Sequence, residues 1–512
     1  MEVSLSLCFA VISTVVALWF VKLTLSGGKA KKKHRLPPGP WTLPVIGSLH
    51  HMVSLLPHRA MMQLSRRHGP LMLLRLGEVP TVVVSSAKAA ALVMRTNDLA
   101  FASRPHSVIA DIFSCGYKNI AFAPYGDRWC EMRKVCVVEL LSSNQVNRIE
   151  VIRAEEVGNL VRSMTDAALA GATINVSAKV VALSNDVVTR AVFGGKFAKQ
   201  GEYLRELGEA FRLISGFCPA DLFPSSPLVR WLSNGERDAK RSNDRIQRII
   251  SDVMEERKTK RASGVGGCSN EDEDLLDVLL KLQQEDSLNF PLTTEIIGAV
   301  LFDIFAGATE TTGTILGWIM SELVRSPEIM AKAQQEVRDV LGENRATITN
   351  SSIAKLHYVQ MVIKEAFRLH PPAVLIPRMA REDSTIMGYD IPKATNVFIN
   401  VFAILRDPAY WTNPGEFKPE RFENSNVTYN GTCFEFIPFG AGRRQCPGTQ
   451  FSWSLTEMVL TNFLYHFDWM LPDGASLTSF DMSEKFGLAV SRRHDLKLRL
   501  TPHVWFKATP KK

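Results

Sequence analysis

The chain has 512 residues, with 60 Lys and Arg against 52 Asp and Glu, 46% hydrophobic and 22% charged; this globular composition excludes collagen, disordered tails and disulfide-dense miniproteins. Of the formal net charge of +8, five charges come from residues 1–40, which hold six basic residues and one acidic residue, so the body of the chain lacks the basic footprint of a nucleic-acid-binding protein. The eight cysteines are scattered without a Cys-x-x-Cys pair, which gives neither a disulfide framework nor a zinc site and points to a reduced, cytosol-facing chain.

Residues 3–25 are almost wholly apolar and are followed by Lys29, Lys31, Lys32, Lys33 and Arg35. A helix of about 20 apolar residues spans a bilayer, and Lys and Arg after it hold that side in the cytosol. A cleaved signal peptide carries its positive charge before the apolar run; here the charge follows it. Residues 1–28 are therefore predicted to be a transmembrane signal anchor with the start of its basic stop. Residues 29–40 are predicted to be a basic, proline-rich hinge, because Pro37, Pro38 and Pro40 cannot continue a helix. Residues 41–512 are expected to form one large domain, although about 150 residues per domain would suggest three.

Along that domain, strand-like runs occur at residues 71–76, 81–84 and 397–401, while helical patterns dominate elsewhere. Residues 263–274, rich in Gly, Ser and acidic side chains, read as an exposed loop between two helices. Residues 293–324 read as one long helix, opened by Thr293 or Thr294 and closed before Pro327. On it Val300, Ile304, Gly307 and Thr311 share a stripe, with Ala308 beside it. Small residues on a buried helix ordinarily just pack, but Glu310 stands next to Thr311, and a hydroxyl with a carboxylate behind it can relay protons. Glu365 and Arg368 are three apart and face one side of a helix. The most informative stretch is Phe439-Gly440-Ala441-Gly442-Arg443-Arg444-Gln445-Cys446-Pro447-Gly448. Its glycines let the backbone turn tightly and approach a flat partner. A thiolate persists near positive groups or a metal; Arg443, Arg444 and a helix starting near Thr449 are the expected source of that charge.

This stretch resembles the haem loop of the cytochromes P-450: Phe439, Gly442, Arg444, Cys446 and Gly448 match Phe-x-x-Gly-x-Arg-x-Cys-x-Gly at every fixed position. The resemblance implies that Cys446 is the axial thiolate ligand of the iron of haem b, a ligation that favours O–O cleavage. It implies a mainly α fold with small β-sheets, a single large domain behind the anchor. Glu310 and Thr311 match the acid and alcohol of the family's central helix, where Ala308 replaces the usual Gly and narrows the groove by one methyl. Glu365 and Arg368, with Arg421 of Pro419-Glu420-Arg421-Phe422, match its buried structural triad. Trp129 and Arg133 match the Trp-x-x-x-Arg helix beneath a haem propionate, and Arg378 falls where plant members carry another propionate partner; arginine forks suit such carboxylates.

The anchor, the proline-rich hinge and this form of the haem loop look most like the large plant microsomal A-type clan of specialised metabolism. That resemblance implies a monooxygenase in the endoplasmic reticulum membrane, single-pass, with its catalytic domain in the cytosol. No Gly-x-Gly-x-x-Gly turn is found and there is no room for a flavin domain after the haem loop, so electrons are expected from outside; the resemblance implies NADPH through a membrane-bound NADPH cytochrome reductase, docking on a basic face around Arg133, Lys134 and Arg443. The implied pocket includes Ile112, Phe113, Phe217, Ile304, Val374 and Leu488, mainly apolar, with Asp111 and Asp303 as polar exceptions. A lipophilic guest follows, with terpenoids, diterpene hydrocarbons among them, ahead of phenolics, fatty acids and indolic precursors. The alternatives are a haem-thiolate isomerase or dehydratase that does not use dioxygen, and a non-catalytic haem-binding membrane protein.

Overall fold

The computed structural model describes residues 35–214, 218–262, 274–343, 348–472 and 475–503. The anchor, most of the hinge, nearly all of the predicted 263–274 loop and Phe217 lie outside these residues. The flanks of that loop are helical, as expected: Gly235–Ala262 precedes it and Leu275–Glu285, capped by Asp274, follows.

After a helix at Pro57–His68 come two hairpin strands, β1 (Leu71–Leu76) and β2 (Val79–Val84). Helix α1 (Asp127–Cys136) and helix α2 (Val176–Phe193) follow. The long helix α3 (Thr294–Arg325) starts where the Thr293 hydroxyl caps the Ile296 amide, and it ends ahead of Pro327. Helix α4 (His357–Leu369) leads into β3 (Leu375–Met379), then β4 (Asn396–Asn400). Helix α5 (Thr449–His466) begins three residues after Cys446. The fold is mainly helical with small sheets, as the sequence implies.

The largest sheet has the order β1-β2-β4-β3: β2 and β4 are parallel, the other pairs antiparallel. β2 begins two residues earlier than expected, at Val79, because the Gly77-Glu78 turn closes the hairpin tightly. β4 stops at Asn400, whose side chain caps the Ala403 amide and turns the chain into a short helix instead of extending the strand to Val401. Register places Arg378 opposite Val397, which fixes its depth in the protein.

α3 runs through the core, with Val300, Ile315, Leu316 and Ile319 fully buried. By length and hydropathy it is the one helix among the described residues fit to cross a membrane, yet most of it is covered by protein. It lies against α2 so closely that a Cβ on Gly313 would stand 2.5 Å from Val181 Cγ2. Such contact demands Gly, and it holds the two helices in one rigid pair.

Candidate active site

α3, β3 and the 438–448 loop enclose a cavity of about 380 Å³. Cys446 opens into it from one wall; Gly307, Ala308 and Thr311 of α3 also line it. Cys446 is accessible only in the sense that it faces this interior space, and it is otherwise surrounded by protein.

The loop holds its shape by backbone means. Gly442 has φ of +69°, and a Cβ there would meet Met94 O at 2.2 Å and Asp98 Oδ1 at 2.7 Å, so both conformation and space require glycine. The Cys446 amide donates to Phe439 O at 3.0 Å, and Thr449 Oγ1 donates to Cys446 O at 2.9 Å. Gly448 has no positive φ, and a Cβ there would make only ordinary contact with Cys446 Sγ, at 3.9 Å.

The charge around the thiol differs from the sequence expectation. Arg443 turns away and pairs with Asp98, at 3.0 Å. Arg444 is buried and donates to the carbonyls of Ala102, Ile120 and Ala123. The cation acting on Cys446 is Arg133, which also donates to Gln445 O at 2.5 Å. Burial pushes the thiol up, against the pull of the Gly448 amide, Arg133 and Thr449; coordination to a metal would remove that proton outright. Arg133 lines the cavity, so of the three residues of the expected basic face Lys134 and Arg443 are the exposed ones.

Four guanidinium groups, those of Arg104, Arg133, Arg378 and Arg444, gather at one end of the cavity. Burial and mutual repulsion hold Arg378 well below its ordinary value and bring Arg104 to about 10 and Arg444 to about 9. Arg378 stands just behind the lining with its Nη2 buried and without a partner. A buried donor left unpaired beside excess positive charge is costly, and a dianionic group in the cavity would relieve it. The residues present therefore fit haem: a thiol on one wall, a small-residue helix turn in the same lining, and arginines for two propionates. Among the described residues no cluster of three or more His, Cys, Asp or Glu is poised to hold a metal ion, so Cys446 has no companions for a zinc site.

Arg104 has no sequence signal: it precedes Pro105 in irregular chain, and its partners Ala121 O and Pro377 O are distant in sequence. Trp129 is placed differently from the expectation. Its Nε1 donates to Ile120 O at 2.9 Å, its ring lies under Arg444 at 4.1 Å, and it supports the wall without lining it.

On α3, Thr311 Oγ1 donates to Gly307 O at 2.5 Å. Glu310 lies just behind the lining; burial raises its carboxyl above the ordinary value, opposed by Lys485. Asp303 reaches the cavity, but its oxygens accept from Asn119 Nδ2 and the amides of Ile120 and Ala121 at 2.6–2.8 Å. It ties down that loop and is not free to fix a substrate. Asp111 is exposed on a short helix.

Of the predicted pocket residues, Ile304 and Leu488 line the cavity. Phe113 is fully buried and stacks on Phe302, which does line it, at 5.3 Å; Ile112 packs into the same core. Val374, in the bend just before β3, does not line the cavity and packs in a cluster with Phe402 and Val490, while its neighbours Ala373 and Leu375 reach the lining.

Away from the cavity, Glu365 and Arg368 are both fully buried and joined by two hydrogen bonds of 2.7 and 2.9 Å. Arg421 Nε adds a third to the same carboxylate at 2.9 Å. The sequence-predicted triad is thus assembled.

The family described as Cytochrome P-450 matches residues 37–496. The chain is 44% identical to Zealexin A1 synthase of Zea mays over 492 residues, 96% of this chain and 97% of that protein. It is also 44% identical to Ent-cassadiene hydroxylase of Oryza sativa subsp. japonica over 494 residues, 94% of this chain and 95% of that one. A solved zebra fish cytochrome P-450 with progesterone superposes with a TM-score of 0.75 at 25% identity, covering 88% of this chain and 100% of that one. With this identity and coverage, the chain belongs to the cytochrome P-450 family and is a haem-dependent monooxygenase, drawing electrons from NADPH through a reductase.

Proposed function

We propose that the chain inserts one atom of dioxygen into a polycyclic terpenoid hydrocarbon. The observation that carries this reading is the cavity wall: Ile120, Phe302, Ile304, Ala308, Ile376 and Leu488 are apolar, and the carboxylate among the lining residues, Asp303, is already hydrogen-bonded. A guest recognised by shape and apolar contact suits such a pocket, and the rice relative is named for the hydroxylation of ent-cassadiene.

In this reading Cys446 would hold the haem iron through its thiolate, and Arg104, Arg133, Arg378 and Arg444 would hold the propionates. Haem supplies the binding and activation of dioxygen. Glu310, whose carboxyl is raised above its ordinary value by burial, passes a proton to the Thr311 hydroxyl, which delivers it to the cavity. Glu365, Arg368 and Arg421 brace the loop side of the fold. An NADPH cytochrome reductase docks at the Lys134 and Arg443 surface, where charge governs encounter rate more than affinity. Residues 1–28 anchor the protein in the endoplasmic reticulum membrane with the catalytic domain in the cytosol, as in the plant microsomal clan.

Expression with a reductase and incubation with ent-cassadiene and other cyclic diterpene and sesquiterpene olefins under ¹⁸O-labelled dioxygen tests this directly. One labelled oxygen in an NADPH-dependent product is expected. Turnover of phenolic or fatty-acid substrates alone would overturn the substrate assignment.

A further inference from the structure

Where α2 crosses α3, two consecutive side chains of α2 reach the turn that carries Glu310 and Thr311. Ser184, 0% exposed, donates from Oγ to the Ala308 carbonyl at 2.8 Å. Asn185, 1% exposed, donates from Nδ2 to Thr309 Oγ1 at 3.3 Å. Gln200 Nε2 in turn donates to Asn185 Oδ1 at 2.9 Å and to Asp186 Oδ1 at 2.7 Å, and Lys196 pairs with Asp186 at 2.7 Å. On the cavity side of the same turn, Thr311 Oγ1 donates to Gly307 O. Two successive carbonyls of α3, those of Gly307 and Ala308, therefore each accept a hydroxyl, one from the cavity side and one from α2.

A buried hydroxyl needs a partner, and a helical Ser or Thr ordinarily finds it four residues back on its own helix. Ser321, Thr456 and Thr165 do so in this protein, donating to Gly317 O, Ser452 O and Val161 O. Ser184 instead reaches across to α3. A donor bonded to a helix carbonyl tilts that carbonyl outward and loosens the ladder bond it makes. Gly307 lines the cavity and meets nothing within 4 Å at its Cβ position, so this turn has free space on its cavity side.

We propose that Ser184 is a positioning residue for oxygen activation: its bond to Ala308 holds the 307–311 turn open and keeps the Thr311 hydroxyl and Glu310 directed at the cavity, while Asn185 fixes the rotation of that turn through Thr309. This rests on the proton-relay reading of Glu310 and Thr311 given above.

The test uses the full-length, haem-loaded protein in wild-type, Ser184→Ala, Ser184→Thr and Thr311→Ala forms. The first readout is hydrogen exchange of the Thr312 amide, the ladder partner of the Ala308 carbonyl in an α-helix, and it needs no substrate. Ser184→Ala should slow this exchange at least threefold as the ladder closes, with Ser184→Thr restoring the wild-type rate. Unchanged or faster exchange in Ser184→Ala would overturn the proposal. The second readout is product and hydrogen peroxide per NADPH with ent-cassadiene as probe. Ser184→Ala should lower product per NADPH at least threefold, the missing electron pairs appearing as peroxide, with KM and haem content unchanged and Ser184→Thr restoring coupling. If Thr311→Ala lowers coupling and Ser184→Ala does not, the positioning role fails and the relay stands; if Thr311→Ala leaves coupling intact, the relay fails and the positioning role with it.

Discussion

Replacing Arg368 with Ala removes a guanidinium that makes five hydrogen bonds in a fully buried site: two to Glu365 and one each to the carbonyls of Leu405, Pro414 and Glu416. Glu365 keeps Arg421 and the Lys418 amide, at 2.9 and 2.8 Å, so its charge is not abandoned altogether. Removing one partner of a buried pair typically costs about 3–5 kcal/mol, and each carbonyl left without a donor adds about 1–3 kcal/mol before relaxation. These terms share one site and do not add, so a loss of about 3–5 kcal/mol is expected, a large fraction of the roughly 5–15 kcal/mol that holds a folded protein. For a domain of this size that corresponds to about 1 °C per kcal/mol in the thermal midpoint, or about 3–5 °C. The assay is the thermal midpoint at fixed scan rate together with haem bound per protein. Arg368→Lys should recover only part of the loss, because an ammonium keeps the charge but cannot reproduce the fork. A midpoint within 1 °C of wild type and full haem content in Arg368→Ala would refute this reasoning.

Thr311→Ala should bind substrate and accept electrons almost normally, yet release reduced oxygen as hydrogen peroxide; a lost proton donor costs about 10² to 10⁴ in the step it serves, and unchanged product per NADPH would reduce Thr311 to a packing residue. Burial opposes ionisation of Glu484, but hydrogen bonds from His58 and Arg59 overcome it and hold the carboxyl at about 2. Because this folded value lies below the unfolded one of about 4.3, the stabilisation is complete above that pH and fades as pH falls toward 2. Urea unfolding should therefore show Glu484→Gln less stable than wild type by about 3 kcal/mol near neutral pH, with the gap narrowing from pH 5 to pH 3; a constant gap would contradict the assignment. Deleting residues 1–36 should release much of the protein from membranes and leave haem binding intact, since it spares the bond from the Leu73 amide to Pro38 O at 2.8 Å; loss of haem would mean that the segment belongs to the fold.

What the sequence made legible was local. The haem loop is contiguous, and its Gly442 carries a constraint that shows in the residue itself. The ends of α3 follow from Thr293 and Pro327, and the Glu365–Arg368 pair from a three-residue helical spacing. What escaped depended on distant parts of the chain meeting. Arg104 joins the cavity wall through carbonyls at positions 121 and 377, and neither is foreshadowed by its neighbours. Arg443 was expected at the thiol but is drawn off by Asp98, and Arg133 takes its place from another helix. Val374 sits in the bend ahead of β3, and the packing of Phe402 and Val490 around it takes it off the cavity wall. Ser184 looks like any helical serine until the packing of Gly313 on Val181 brings Ala308 within its reach.

The central claim is that Cys446 binds haem iron as a thiolate in this cavity, and one difference spectrum tests it. Reduced wild-type protein exposed to carbon monoxide should absorb near the wavelength from which the family takes its name, and Cys446→Ala, purified in parallel, should lack that band and all turnover. Persistence of the band in Cys446→Ala, or its absence from haem-loaded wild type, would contradict the account.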